Sequence, residues 1–99
     1  MKLPRDLFLG FVKLHILHHA GHEPVYGLWL IEELGRHGYR LSPGTLYPIL
    51  HALEQEHLLA RETRVVEGKS RKYYRLTATG RTALREGKSK ARELMKELE

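Results

Sequence analysis

Between residues 4 and 20 the apolar positions Leu7, Phe8, Leu9, Phe11, Val12, Leu14, Ile16 and Leu17 nearly encircle a helical wheel. A helix apolar on most sides must be buried on most sides. The chain has only 99 residues, 41% of them apolar and 29% charged. One domain of that size buries a modest fraction of its surface. The first helix therefore needs two neighbours, its own domain and a second subunit. Pro4 suits the first helical turn, Gly21 reads as the stop, and Gly21-His22-Glu23-Pro24 reads as a turn.

The composition excludes several classes. No run of apolar residues is long enough for a membrane span. Asp6 and the lack of a small-residue cleavage site argue against a secretory signal. Cysteine is absent, which removes disulfides, cysteine nucleophiles and zinc–thiolate sites. The expected location is the cytoplasm. No nucleophile elbow, phosphate-cradling glycine loop or paired carboxylates appear, and Glu32 and Glu33 point different ways on a helix. The chain is read as no enzyme, with no cofactor. A net charge of +5 points to a polyanionic partner, nucleic acid foremost; a solvated basic surface is the plain alternative.

The rest of the chain divides into short elements. Leu28, Ile31 and Leu34 repeat at three-residue steps, predicting a second helix from about Tyr26 to Arg36 that Gly35 and Gly38 end. Tyr39-Arg40-Leu41 is a link. A third helix opens at Ser42-Pro43, with serine as N-cap, and should end near His57. Leu46, Ile49, Leu50 and Leu53 share one face, while Gly44, Tyr47, Pro48 and His51 lie opposite. Pro48 should bend this helix. Leu59–Val66 and Arg71–Leu76, separated by Glu67-Gly68-Lys69-Ser70, read as a hairpin. Of Tyr73 and Tyr74, which alternate across a strand, one is expected in the core. The last helix starts at Thr77 or Thr79 and reaches toward Glu99. Leu84, Ala91, Leu94 and Leu98, with Met95 beside them, form a short heptad seam interrupted by Gly87. Such a seam is not stable alone in water. A partner subunit is the economical cover, packing on its own domain the alternative.

Helix, helix, link, helix, basic hairpin is the order of a winged helix-turn-helix. The fold class is mainly α with a small β-hairpin: a winged-helix domain over residues 1–76 and a C-terminal dimerisation helix over 77–99. The third helix would enter a major groove. From Arg40 to Arg81, eight basic residues face four acids, so this half carries +4 of the total charge. Lys69, Arg71 and Lys72 are assigned to phosphate or minor groove, and Arg40 to phosphate. Ser42, with Pro43, caps the helix and can touch phosphate. Gly44 permits close backbone approach to DNA or merely eases the turn. Tyr47 contacts the groove or a phosphate, or braces the helix against the wing. Thr45 and His51 are lesser contacts without the bidentate hardware of strong base readout, so DNA shape would share in specificity. Phe8 and Phe11, with Leu84, Ala91, Leu94, Met95 and Leu98, are the dimerisation set. The partners expected are a second copy and palindromic double-stranded DNA. A winged-helix adaptor that docks a protein with its third helix is the alternative from another class.

The run Leu41-Ser42-Pro43-Gly44-Thr45-Leu46-Tyr47-Pro48-Ile49-Leu50-His51-Ala52-Leu53-Glu54 resembles the signature of the PadR family of transcriptional regulators. Tyr26-Gly27, Lys72-Tyr73-Tyr74-Arg75-Leu76-Thr77 and Gly80 share the resemblance, which spans roughly residues 7–85. It implies a dimeric winged-helix repressor of the short class. Its third helix would read DNA, its wing touch the backbone or minor groove, and its first and last helices dimerise. A small-molecule or stress signal releases many members from DNA. The sequence departs from the pattern at Trp29, where a carboxylate is usual, and at His57, where glycine is usual. The last helix lacks the tryptophan on which some relatives stack ligands.

Two features stand outside that scheme. His15, His18, His19 and His22 have a spacing that can hold a metal, although a polar stripe near the dimer interface explains them as well. His22 falls past the expected helix end. Trp29 is a candidate for lining a ligand cavity between the second helix and the dimer helices, with plain packing as the alternative.

Overall fold

Val12, Ile16, Leu17 and Ala20 make the buried stripe of the first helix, and the rest of the fold is organised against it. A computed structural model describes residues 4–99. Its elements are α1 (Arg5–His22), α2 (Gly27–Arg36), α3 (Pro43–Gln55), β1 (Leu59–Val66), β2 (Lys69–Leu76) and α4 (Ala78–Leu98). α1 packs on α4, β2 and α2, and α3 packs on α2 and β1. One core joins them, built on Leu30, Leu34, Leu46, Leu50, Leu53, Leu59 and Tyr74.

α1 runs through Gly21 to His22, so Gly21 does not stop it. A Cβ there would approach Leu76 Cδ2 to 3.0 Å. The glycine makes room for the end of β2. α1 also buries one stripe rather than its whole circumference: Leu7 and Phe11 remain exposed. On α2 the buried set is Gly27, Leu30 and Leu34, while Leu28 is exposed. Three-residue steps drift around a helix of 3.6 residues per turn, whereas steps of three and four hold one face.

α2 and α3 end alike. After α2, the Gly38 amide donates to Gly35 O and the Tyr39 amide to Leu34 O, each pair closing a Schellman motif. Gly38 takes the left-handed position at φ +88°. After α3, the His57 amide donates to Glu54 O and the Leu58 amide to Leu53 O. Here a histidine occupies the left-handed position, at φ 62°. α3 closes at Gln55, two residues short of His57, because that turn begins there.

Ser42 holds the N-cap position of α3, yet its side chain makes no cap bond. Its hydroxyl donates to Thr45 Oγ1 at 3.4 Å, and its carbonyl accepts from the amides of Thr45 and Leu46. Leu46, Ile49, Leu50 and Leu53 are buried, and Gly44, Tyr47, Pro48 and His51 lie outward. Pro48 sits inside a continuous helix, and it offers no N–H to the Gly44 carbonyl. Both residues are exposed, where water satisfies the freed group.

The hairpin turn is shorter than the sequence suggests. Glu67 and Gly68 alone form it, both at positive φ, as a two-residue I′ turn requires. Lys69 and Ser70 belong to β2, paired with Val66 and Val65. Tyr74 is the buried tyrosine. Its backbone also exchanges hydrogen bonds with Val25, at 2.7 and 2.9 Å, which fastens the wing to the segment entering α2.

Thr77 caps α4, its hydroxyl oxygen accepting from the Gly80 amide at 2.9 Å. Any Cβ on Gly80 would collide with the Leu58 carbonyl oxygen. Leu84, the first seam position, packs into the edge of the protomer's own core. Gly87 has a packing reason too, since a Cβ would come within 2.8 Å of Leu14 Cδ1. Beyond Gly87 every residue of α4 is exposed, Leu94, Met95 and Leu98 among them. None of the helices among the described residues is long and apolar enough to cross a membrane.

Candidate nucleic-acid interface

A cleft of about 380 Å³ lies where the start of α2, the outer face of α3 and the wing meet. Tyr26, Gly27, Leu28, Tyr47, Ser70, Arg71 and Lys72 line it. Residues far apart in sequence thus converge through three local causes. The Val25–Tyr74 bridge sets β2 beside Tyr26. Gly27 has no side chain, and a Cβ there would strike the Tyr47 hydroxyl, so Tyr47 lies across the first turn of α2. That turn has no side-chain cap bond on its amides, so its positive dipole end faces the cleft.

Tyr47 therefore braces α3 against the first turn of α2, at the edge of the cleft it shares with the wing. It stays over one-third exposed, with its hydroxyl at the amide end of α2. Gly44 is exposed, and a Cβ there would meet only Ser42 Oγ at 3.8 Å. Nor is its φ in the left-handed region. Nothing inside the chain requires a glycine at this position. Arg40, Ser42, Pro43 and His51 are exposed around the same helix, and Thr45 is half-buried behind Ser42.

The wing cations divide between two faces. Side chains alternate along a strand, so the register places Lys69 and Arg71 on one face with Arg64, and Lys72 on the other with Thr63. Lys69, Arg71 and Lys72 form no ion pair among the described residues. Arg64 pairs directly with Arg71 across the strands, a like-charge arrangement that costs energy by itself. Each is offset locally. The Arg71 guanidinium lies 4.3 Å from the Tyr26 ring centre, and Arg64 lies 4.6 Å from that of Tyr73. Arg64 also donates to Glu62 at 2.6 Å, and Tyr26 meets Tyr73 edge-on at 5.4 Å. Sequence reasoning missed Arg64 and Tyr26 in this stack. The β-alternation of Arg64 and Tyr73 carried a signal, but the Tyr26 contact depends on the bridge at Val25.

The dimerisation set is partly spent inside the protomer. Phe8 stacks on Tyr39 at 5.4 Å, and Leu84 is core. Phe11, Ala91, Leu94, Met95 and Leu98 remain exposed. Trp29 is half-buried and meets His19 edge-on. It lines a cleft of about 410 Å³, bounded by the end of α1, the Pro24–Tyr26 segment and the wing residues Arg64 and Tyr73. The cleft thus lies between α2 and the end of α1, one of the expected dimer helices, and the wing closes its other side.

The histidine quartet does not converge as the spacing suggested. His18 meets His22 and His19 ring-to-ring, and His15 meets His37. Only one group among the described residues brings ligand atoms together, namely His19, Glu33 and His37. His15, His18 and His22 are not in it. Burial, followed by neighbouring imidazoles or Lys88, lowers His15, His18 and His19 below the ordinary histidine value.

Three helices, a polar-faced third one and a cationic two-stranded wing define a winged helix-turn-helix protein. Residues 16–86 match the model of the transcriptional regulator PadR-like family. The chain belongs to that family. It is 56% identical over 94 residues to the transcriptional regulator Rv3488 of Mycobacterium tuberculosis, covering 95% of this chain and 88% of that protein. Among solved structures, a PadR family regulator from Eggerthella lenta superposes with a TM-score of 0.83 at 35% identity, over 94% of this chain and 82% of that one. A PadR-like regulator from Bacillus cereus gives 0.85 at 29% identity, over 94% and 92%. The protein is a transcriptional regulator, not an enzyme.

Proposed function

We propose that this regulator is a homodimeric repressor that binds a palindromic operator through α3 and the wing. One observation carries the reading: Arg71 and Lys72, without acid partners among the described residues, an uncapped helix start and the exposed face of α3 border a single cleft. Lys69, Arg71, Lys72 and Arg40 take phosphates and supply affinity independent of sequence. Tyr47 sets α3 against α2 and reaches the duplex with its exposed edge. Gly44 lets the start of α3 approach the duplex closely. Repression, rather than activation, follows from the family resemblance.

The dimer forms through the exposed apolar positions of α1 and α4, namely Leu7, Phe11, Leu94, Met95 and Leu98. Ala91 lies on the same seam. Two copies of α3 then meet one face of a duplex about 34 Å apart, which makes the operator a palindrome.

Fluorescence anisotropy on duplex DNA across a salt series tests the reading. Neutralising Lys69, Arg71 and Lys72 together should weaken binding to every sequence and flatten the salt dependence. Changing Tyr47 should alter preference between sequences more than charge-driven binding. If both variants bind the protein's own upstream DNA as the wild type does, the assignment of roles is wrong. Loss of all DNA retention by the wild type at low salt would favour the protein-docking adaptor.

A further inference from the structure

We propose that His19, Glu33 and His37 form a binding site for a divalent transition-metal ion of the zinc type, joining α1 to α2. Glu33 and His37 stand four apart on α2's last turn and its C-cap, on one helix face. His19 comes from the last turn of α1. His37 Nε2 lies 3.1 Å and His19 Nε2 3.7 Å from the same oxygen, Glu33 Oε2. All three ligand atoms lie within 4.8 Å of one another.

The shorter of those separations is also a hydrogen bond between His37 and Glu33, and both lie near the spacing that an ion imposes. Bonds of about 2.0–2.1 Å in a tetrahedral shell place ligand atoms roughly 3.3–3.4 Å apart. The observed 3.1 and 3.7 Å bracket that spacing. His19 Nε2 is buried and has no hydrogen-bond partner, although it faces a carboxylate. At 3.7 Å the two atoms are too far apart for a hydrogen bond; an ion between them would satisfy both. The other carboxylate oxygen, Oε1, accepts from Arg36 at 3.1 Å, which holds Oε2 toward the imidazoles.

Two imidazoles and one carboxylate favour zinc, cobalt or nickel over calcium or magnesium, which take oxygen shells. Three protein ligands leave a fourth position for water. The spacing motif on α1 alone pointed elsewhere, because two ligands come from α2 and meet His19 only once the helices pack.

The location suggests a consequence that rests on the DNA-binding reading above. α1 carries exposed Leu7 and Phe11, and α2 opens on the cleft beside α3. An ion drawing His19 and His37 onto one centre changes how α1 sits on α2. In a dimer built on α1 that resets the separation of the two reading helices.

Isothermal titration of zinc into the chelator-treated full chain tests binding, with cobalt(II) visible absorption as a second readout. The expected result is one ion per chain and the intense bands of tetrahedral cobalt. His37→Ala and Glu33→Gln should each weaken binding at least tenfold, while His18→Ala and His22→Ala should not. Circular dichroism checks each fold; should Glu33→Gln misfold, His37→Ala decides, since that side chain is about half exposed. No heat with the wild type, equal affinity in His37→Ala, or loss in His18→Ala instead would overturn the site. Operator affinity measured with and without zinc should differ at least fivefold. Unchanged affinity in a zinc-loaded protein that still binds DNA would overturn the coupling alone. Failure to bind DNA in either state would count against the DNA-binding reading and leave the metal site standing.

Discussion

The cleft between α3 and the wing exposes Arg71 and Lys72, with Lys69 nearby on the wing, and none of the three has an acid partner among the described residues, whereas α1 and α4 expose Leu7, Phe11, Leu94, Met95 and Leu98. Solvated charge costs little in water, so the first surface can wait for its partner. Exposed apolar area costs roughly 25 cal/mol per Å² left in water, so the second surface needs a cover throughout. The contrast teaches an order of assembly. On the proposed reading the apolar surface sets a standing complex of two chains, and the cationic surface makes a reversible, salt-dependent contact with DNA.

The strongest way to break this contrast is to charge the apolar surface. Leu94→Asp with Leu98→Asp should yield an 11.5 kDa particle by light scattering. Operator affinity should fall on the order of a hundredfold, because two linked contacts become one. The monomer should keep its helical circular dichroism, since both side chains are exposed. A dimer that survives the change would move the interface elsewhere.

Gly44→Val sharpens the other side. Space around Gly44 is open within the chain, so thermal stability should stay within about 1 kcal/mol of wild type. Affinity for every DNA sequence should fall at least tenfold as the β-branched side chain holds α3 off the duplex. Unchanged affinity would remove α3's start from the contact. Next in size, Lys69→Ala with Lys72→Ala should lower the slope of log K against log salt by about 2, since each phosphate contact contributes about 0.9. A slope that stays put would make these lysines bystanders.

The smallest effect is a control that touches neither surface. His57 holds a left-handed backbone at the end of α3, where Gly38 ends α2 without strain. His57→Gly should raise stability by about 0.5–1 kcal/mol in a denaturant titration, the relief of strain being offset in part by chain entropy. DNA binding should not change.

His57 also marks how far the sequence was legible. The usual glycine at that place was a visible departure, yet only the Schellman hydrogen bonds explain it. Elements with local causes were readable: the Leu46, Ile49, Leu50 and Leu53 stripe of α3, the hairpin, and the start of α4 at Thr77. What failed depended on packing between elements. Gly21 looks like a stop because its neighbour Leu76 lies 55 residues away in the chain. Leu84's place in the protomer's core was hidden because heptad spacing does not say which side the core lies on. Within the interface, Lys69 and Lys72 could be read from charge alone. Arg64, Tyr26 and the start of α2 could not, since the Val25–Tyr74 bridge brings them together. The histidine cluster failed for the same reason, with Glu33 and His37 arriving from another helix.

Hydroxyl-radical footprinting of the wild-type protein on the DNA upstream of its own gene tests the central claim most directly. Two protected patches on one face of the duplex, centred about one helical turn apart and lost together in the Leu94→Asp, Leu98→Asp variant, are the predicted result. A single patch, or protection that survives in the monomeric variant, would contradict a paired molecule reading a palindrome.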